Sequence, residues 1–402
     1  MIHQKHLTFQ PAEILLPAGD LRKWSVIACD QFTSDGEYWA EVERFVGDAP
    51  SALRLMLPEY YLGRGDEAKR MEQIRENMLR YLDSGVFRSF PDSLIYLERR
   101  LSSGCVRRGL MGVIDLEAFD YSDQTDAPIR ASEHTVEDRL PPRVRVRREA
   151  SLEMPHIMLF VDDPEDRLME QAAAAAGESL YDFDLMGGGG HLRGFRISGD
   201  SAWKLAEEAS GSDGFRFAVG DGNHSLAAAR NCWLEQKRAL PETEWIGHPA
   251  RYALVELVNI HDPGVSFEPI HRVVFQTDTE HWFSAAEEQL FDPNGRALTF
   301  LCGADCRTIL VKGNAIGEVI ERAEQFCKWY CVRYGGKIDY IHGDDETRYL
   351  SQPAGCCGIL FPKMKKAELF QSVSETGPFP KKSFSIGLGT DKRYYLECRT
   401  IK

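Results

Sequence analysis

A carboxylate, an imidazole and two glycines stand in one short turn of the sequence, Gly220-Asp221-Gly222-Asn223-His224-Ser225. An alternating apolar run, Phe215 to Val219, precedes this turn, and helix-forming residues follow from Leu226. A helix N-terminus presents unpaired amide N–H groups and the positive end of the helix dipole, so a glycine-containing turn before a helix suits a phosphate group. The pattern therefore predicts a phosphate site.

Each residue type in this turn has a chemical use. Gly220 and Gly222 would let a ligand approach the backbone closely. Asp221 could hold a magnesium ion or orient a hydroxyl group, since magnesium prefers oxygen ligands such as carboxylates. His224 could donate a hydrogen bond to a phosphate oxygen or shuttle a proton near neutral pH. An equally open reading treats the polar residues as turn formers, with Ser225 as the helix cap and His224 packed nearby.

Two further segments offer charged groups. In Glu268-Pro269-Ile270-His271-Arg272, a carboxylate, a proton carrier and a bidentate anion clamp lie within five residues. We expect Arg272 to bind a ligand, because charged residues in loop-rich regions at strand ends are more often at sites than in cores. In Pro380-Lys381-Lys382-Ser383, Lys381 could contact an anion, although a surface turn is an equally open interpretation.

Arginine is concentrated between residues 130 and 148, around Glu133, His134 and Thr135. The six arginines of this segment are Arg130, Arg139, Arg143, Arg145, Arg147 and Arg148. An anion site in a protein of net charge −14 needs cations gathered locally, so we expect Arg139 to help bind phosphate. The segment Glu133 to Arg145 would then share a cleft with the Gly220 to His224 turn and with His271-Arg272. A solvated charged surface is the alternative.

The composition limits the possible partners. The chain has 402 residues, of which 43% are hydrophobic, so it can bury a large core and form two or more subdomains. A net charge of −14 argues against nucleic acid as the main partner. No run approaches the roughly 18 apolar residues needed to span a bilayer, and residues 1–6 have no signal-peptide core. We expect a cytoplasmic protein without a membrane partner, and the oligomeric state stays open.

The alternation of helical and strand-like segments predicts a mixed α/β or α+β protein with mixed sheets flanked by helices. Helices are expected at Glu37–Phe45, Gly65–Ser84 and Ser201–Ser210, and a buried strand at Trp24–Cys29. Asp30 would then lie at a strand end, as a candidate catalytic base.

Domain boundaries are soft, because neither a repeat nor a low-complexity linker divides the sequence. We place one near residue 200. Residues 1–200 would form an N-terminal α/β region with the cationic segment, and residues 201–402 a C-terminal region containing the glycine-rich turn.

Four ordered motifs carry a resemblance to a known family. They lie in Trp24–Leu62, Gly220–Arg230, Phe267–Phe275 and Pro378–Gly387, and the chain resembles over nearly its whole length the family known as domain of unknown function 1015. That name implies no activity.

A more distant resemblance joins the turn to the ParB/sulfiredoxin-like superfamily, which includes free serine kinases. In these proteins a Gly, a His and an Arg at a helix start grip nucleotide phosphates. The resemblance implies a ParB/sulfiredoxin-like core and a phosphate site lined by Asp221, Gly222, Asn223 and His224. Ser225 stands where an Arg is usual in those relatives, so another segment would have to supply the cation.

These observations favour a nucleotide-dependent, kinase-like phosphotransferase that uses ATP or ADP with magnesium and acts on a small polar metabolite such as an amino acid. Asp221 would hold magnesium or the acceptor, His224 the phosphate and Arg272 the developing charge, with Asp30 or Glu268 as the base. The alternative is a non-catalytic regulatory protein that binds a nucleotide or another anion. A nucleotide hydrolase also stays open.

Overall fold

The computed structural model describes residues 7–28, 32, 35–62, 65–154, 157–211, 214–387 and 389–402, and strands and helices are numbered along these residues. An 11-stranded mixed sheet contains β1 (Phe9–Gln10), β2 (Ala12–Pro17), β4 (Phe87–Arg100), β5 (Val106–Asp115), β6 (Phe119–Asp120), β7 (Ile129–Arg130), β9 (Met158–Val161), β10 (Ser179–Asp184), β11 (His191–Ser198), β12 (Phe217–Asp221) and β13 (Tyr252–Asn259). Its main path runs β10-β11-β4-β5-β13-β9-β12-β7-β6, while β1 pairs with β5 and β2 with β4.

A second sheet of six strands follows in the C-terminal part. It contains β14 (Phe267–Phe275), β15 (Phe291–Cys302), β16 (Asp305–Val311), β17 (Lys337–His342), β18 (Cys357–Leu360) and β19 (Phe384–Ile386). Two short ribbons pair β3 (Val26–Ile27) with β20 (Tyr394–Tyr395), and β8 (Leu152–Glu153) with β21 (Arg399–Thr400). The C-terminal tail therefore returns to the N-terminal half of the chain.

The helices cover the faces of these sheets. They are α1 (Leu21–Trp24), α2 (Gly36–Val46), α3 (Glu67–Asp83), α4 (Leu140–Glu149), α5 (Arg167–Ala175), α6 (Asp200–Ser210), α7 (Asn223–Lys237), α8 (Glu242–Trp245), α9 (Trp282–Leu290), α10 (Ile316–Tyr334), α11 (Asp344–Leu350) and α12 (Glu368–Thr376). Among the residues described, no helix is both long and apolar enough to cross a membrane.

The large sheet is buried on both faces, which explains the unbroken apolar run in β4. Ile95 and Leu97 belong to a core that includes residues of α2 and α3. Leu94 and Tyr96 point to the opposite face, where α5, α6 and α7 contribute to a second core. Because successive side chains of a strand alternate between faces, both sets must be apolar. This packing fixes the end of β12, and with it the start of α7.

The predicted mixed α+β class is confirmed, and so are the helices predicted over residues 37–45, 65–84 and 201–210. The strand predicted from Trp24 is shorter, because the Asp20 side chain caps α1 by accepting from Arg22 N and Trp24 ends that helix. The large sheet takes strands from both sides of residue 200, so the predicted boundary does not separate the two sheets. The six-stranded sheet begins only with β14.

Candidate functional site

The glycine-rich turn joins β12 to α7, as its sequence predicts. The helix begins at Asn223, with Gly222 as its N-cap residue in the left-handed conformation at φ 90°. Ser225 therefore lies inside the first turn, and the alternative that made it the cap is wrong. Within the described residues no side chain caps this helix, so the positive end of its dipole faces the surroundings of the turn.

Both glycines of the turn are required by the fold itself. A Cβ at Gly220 would lie 2.6 Å from the Phe160 ring, and one at Gly222 would lie 3.2 Å from the Ile157 Cα atom. The positive φ of Gly222 also disfavours any other residue there. Packing thus accounts for these glycines without a ligand, although both still line the cavity beside the turn.

A cavity of about 500 Å³ opens at this turn. The end of β12 and the start of α7 supply residues 220–225, and α4 with the residues before it supplies arginines. The C-terminal part of the chain supplies Tyr340, Lys381, Lys382 and residues 384–386. Apolar side chains also line the cavity, among them Trp39, Leu55, Met56, Met78 and Met154. A ligand here would meet both cations and apolar side chains.

Two polar side chains of the turn hold the neighbouring segment 132–136. Asn223 Oδ1 accepts from Ser132 N at 3.2 Å, and its Nδ2 donates to Ser132 Oγ at 3.4 Å. His224 Nε2 accepts from Val136 N at 3.1 Å. The Asn223 side chain is thus engaged in positioning this segment, while the residue still lines the cavity.

His224 is a neutral imidazole at physiological pH. Burial, with smaller contributions from Arg143 and Arg139, lowers the pKa of His224 from 6.5 to about 4. Because its Nε2 accepts from an amide, the neutral ring carries its proton on Nδ1. The expected role as a proton shuttle near neutral pH does not fit the unliganded site, whereas donation from Nδ1 does.

We expect NMR titration of His224 in the unliganded protein to give a midpoint near pH 4. Since the folded pKa lies below 6.5, the unfolded chain binds more protons between pH 6.5 and 4, and stability falls as the pH falls through that window. The variant His224→Gln keeps an acceptor for Val136 N and should lose less stability over this window than wild type. A midpoint near 6.5 would contradict this account of the site.

Asp221 is the turn's carboxylate. Its Oδ1 accepts from Gly222 N at 2.9 Å, and its Oδ2 lies 3.5 Å from the Lys392 ammonium group. The side chain is 32% exposed, so it can still meet a ligand in the cavity. Lys392 comes from the C-terminal tail, 171 residues further along, which no local pattern predicts.

The arginine-rich segment is divided between two faces. Arg139, Arg143 and Arg147 recur every four residues at and within α4, and all three line the cavity. Arg145 and Arg148 turn away and pair with acidic residues on α3 and α7. The predicted common cleft of this segment with the glycine-rich turn is present, and the four-residue spacing is a signal by which Arg143 could have been selected as well.

Within the described part of the chain, most charges in the cavity are compensated, but three cations are not. Arg143 pairs with Glu59, and Arg147 with Glu153. Among the residues that the structure describes, Arg139, Lys381 and Lys382 form no ion pair. An acidic protein that concentrates unpaired cations beside a helix N-terminus offers a local site for an anion.

Other predicted site residues lie outside the cavity. Glu268 pairs with Lys363 at 2.9 Å. His271 is fully buried, with Nδ1 accepting from Phe361 N at 3.1 Å and Nε2 at 3.0 Å from Asp344 Oδ1. Burial lowers the pKa of His271, against the opposing effect of Asp344. The structure therefore does not bring the predicted base Glu268 or the predicted phosphate ligand His271 to the turn.

Arg272 also differs from the expectation. It is fully buried, and its Nε donates to Glu324 Oε2 at 2.7 Å. It does not line the cavity and is not a free ligand clamp, because the side chain points into the C-terminal core. The predicted base Asp30 lies outside the described residues.

Comparison with known proteins places the chain in a family. A family model described as "Protein of unknown function (DUF1015)" matches residues 9–400. None of the curated proteins matches the chain.

Distant solved structures include a C-terminally truncated SbnI from Staphylococcus aureus, at 12% identity and TM-score 0.37, covering 69% of this chain and 82% of that one. A mutant free serine kinase in complex with ADP has 11% identity and TM-score 0.40, and the match covers 71% of this chain and 90% of that one. A conserved hypothetical protein from Pyrococcus furiosus has 10% identity and TM-score 0.35, and the match covers 71% of this chain and 93% of that one. These likenesses are too distant to bear on the activity.

Proposed function

Since the chain belongs to the DUF1015 family, whose function is unknown, we propose from its own site that the cavity binds a phosphorylated small molecule and transfers a phosphoryl group. One observation carries the proposal. Three cations without a carboxylate partner among the described residues, Arg139, Lys381 and Lys382, line a cavity at the uncapped N-terminus of α7. In a protein of net charge −14, such a concentration of unpaired positive charge favours a multiply charged anion.

The apolar residues that line the cavity favour a nucleotide as the ligand. A volume of about 500 Å³ falls in the range of sites for small molecules and cofactors. Apolar side chains such as Trp39, Met56 and Met78 suit a flat, poorly charged ring, while the cations of the lining suit phosphates. ADP and ATP combine both parts in one molecule.

Phosphoryl transfer requires little besides positioning and charge neutralisation. The acceptor, a hydroxyl of a small polar metabolite such as an amino acid, forms a bond to the terminal phosphorus while the bond to the bridging oxygen breaks. The hydroxyl proton passes to a carboxylate, a role that falls to Asp221. Glu59 and Glu133 are engaged with Arg143 and with Ser383 N, respectively.

Magnesium fits this site only together with the nucleotide. Among the described residues no group of three or more His, Cys, Asp or Glu side chains is arranged to hold a metal. Magnesium commonly keeps several waters and binds through substrate phosphates, so the nucleotide would carry the ion into the site while Asp221 stays available as the base. When bound, the ion would neutralise phosphate charge.

Calorimetry with ADP, ATP and pyrophosphate, with and without magnesium, tests the binding. A coupled assay of ATP consumption in the presence of an amino acid mixture tests the transfer. We expect Asp221→Asn, which preserves the size and the acceptor for Gly222 N, to bind ADP nearly as wild type does but to lower turnover at least about 100-fold, the usual minimum effect of removing a general base. Unchanged turnover in this variant would refute the proposed role of Asp221.

A non-catalytic, nucleotide-binding regulator is the second candidate. The engagement of His224 with Val136 N favours it, because that bond couples the turn to segment 132–136 and occupies a group that catalysis could have used. This candidate predicts that ATP binds and is not consumed with any acceptor. ATP consumption that is lost in Asp221→Asn would exclude it.

A further inference from the structure

A buried ion pair joins Arg272 of β14 to Glu324 of α10 and contacts residues that line the cavity. Besides its bond to Glu324, Arg272 uses Nη1 to donate to Ile270 O at 2.7 Å and to Lys382 O at 3.1 Å. Pro380, Lys381, Lys382 and Ser383 are here called the lysine turn. The guanidinium group thus holds the backbone of the lysine turn, without itself lining the cavity.

Tyr340 connects the same ion pair to the two lysine side chains. Its hydroxyl donates to Glu324 Oε1 at 2.9 Å, and its ring lies against the Arg272 guanidinium group with a separation of 4.5 Å. The ammonium groups of Lys381 and Lys382 lie 5.9 Å and 5.3 Å from the centre of that ring. Tyr340 therefore stands between the buried pair and the cations that line the cavity.

The lysine turn needs such support because its backbone is strained. Lys382 has φ 56°, in the left-handed region that residues other than glycine seldom adopt. Such a conformation persists only where the surroundings enforce it. Here Arg272 binds Lys382 O, Glu133 accepts from Ser383 N at 3.0 Å, and Ile270 N donates to Ser383 O at 3.1 Å.

We propose that Arg272, Glu324 and Tyr340 form a positioning network that directs Lys381 and Lys382 toward the phosphates of the ligand. This inference rests on the proposed function, since it assumes the phosphate site. Arg272 acts through the lysine turn and touches no ligand. A buried ion pair is weak evidence for stability alone, because desolvation offsets its attraction, but a fixed charge pair can enforce one orientation.

A double-mutant cycle on ADP affinity tests the network. We expect Arg272→Lys, which keeps the charge but loses the geometry of the guanidinium group, to weaken ADP binding about 3- to 10-fold in the otherwise wild-type protein. In a Lys381→Ala/Lys382→Ala background, the same change should alter affinity by less than about 2-fold, because the groups through which it acts are gone. Tyr340→Phe keeps the ring but loses the hydroxyl group, and it should likewise weaken ADP binding only where both lysines are present. This variant replaces Arg272→Lys in the cycle if Arg272→Lys does not fold.

Tyr330→Phe is the matched control. Tyr330 is buried in α10, and its hydroxyl donates to Asp278 O at 2.7 Å, away from the cavity. The control should lower the melting temperature without changing ADP affinity in either background. Equal weakening by Arg272→Lys and Tyr340→Phe in both backgrounds, or no weakening in either, would overturn this inference alone. Failure of the wild-type protein to bind ADP or pyrophosphate would overturn the proposed function as well.

Discussion

Replacing Lys381 and Lys382 together with alanine is expected to weaken ADP binding by about 100-fold or more, since hydrogen bonds to charged groups contribute about 1.5–3 kcal/mol each. Both side chains line the cavity and, among the described residues, have no carboxylate partner whose loss would offset the effect. For the same reason the melting temperature of the unliganded protein should barely change. Isothermal titration calorimetry and thermal melting measure the two quantities.

Lys363→Ala/Lys365→Ala removes the same total charge from the same part of the chain. Lys363 pairs with Glu268, and neither residue lines the cavity. The control should bind ADP nearly as wild type does, apart from a weak long-range effect that salt suppresses. If both double variants lost affinity equally, the attraction would be a property of the whole protein, and the lysine turn would not be a ligand contact.

Arg393→Met is expected to lower the free energy of unfolding by about 3–5 kcal/mol, the usual cost of leaving a buried charge without its partner. Arg393 is fully buried in the C-terminal tail. Its Nε lies 2.8 Å from Glu256 Oε2 and its Nη2 donates to Glu397 Oε2 at 2.8 Å. The variant leaves both buried carboxylates without this cation. Equilibrium denaturation without ligand measures the loss.

Arg167→Met is the corresponding surface control. Arg167 pairs with Glu165, both side chains are 66% exposed, and such pairs contribute little. The control should change the free energy of unfolding by less than about 0.5 kcal/mol. A similar small change in Arg393→Met would contradict the view that buried ion pairs fasten the tail to the large sheet. If Arg393→Met does not fold, the free energy of unfolding of Glu397→Gln measures the contribution of the same ion pair.

The sequence predicts those parts of the fold that depend on local periodicity. The helices Gly36–Val46 and Glu67–Asp83 follow from apolar residues at helical spacing. The order of strands in the large sheet cannot be predicted in this way. There β13 lies between β5 and β9 and pairs with residues more than 90 positions away in the sequence. Local patterns carry no information on such pairings, which explains why the boundary near residue 200 cuts the large sheet.

The candidate site likewise has a part that the sequence predicts and a part that depends on tertiary structure. The turn at Asp221 is recognisable because strand, glycines and helix are adjacent in sequence. The environment of Arg272 is not recognisable in the sequence, because its partner Glu324 lies 52 residues away. Only the folded core shows that the guanidinium group points inward. Lys392 reaches Asp221 from the tail, so its place in the cavity also depends on tertiary structure alone.

Phosphorus-31 NMR of ADP, titrated with the wild-type protein and with Lys381→Ala/Lys382→Ala, tests the central claim most directly, because it observes the phosphates themselves. We predict that both phosphate resonances shift or broaden with the wild-type protein and stay nearly unchanged with the double variant. Resonances unaffected by the wild-type protein, or equally affected by both proteins, would contradict a phosphate site formed by the glycine-rich turn and the lysine turn.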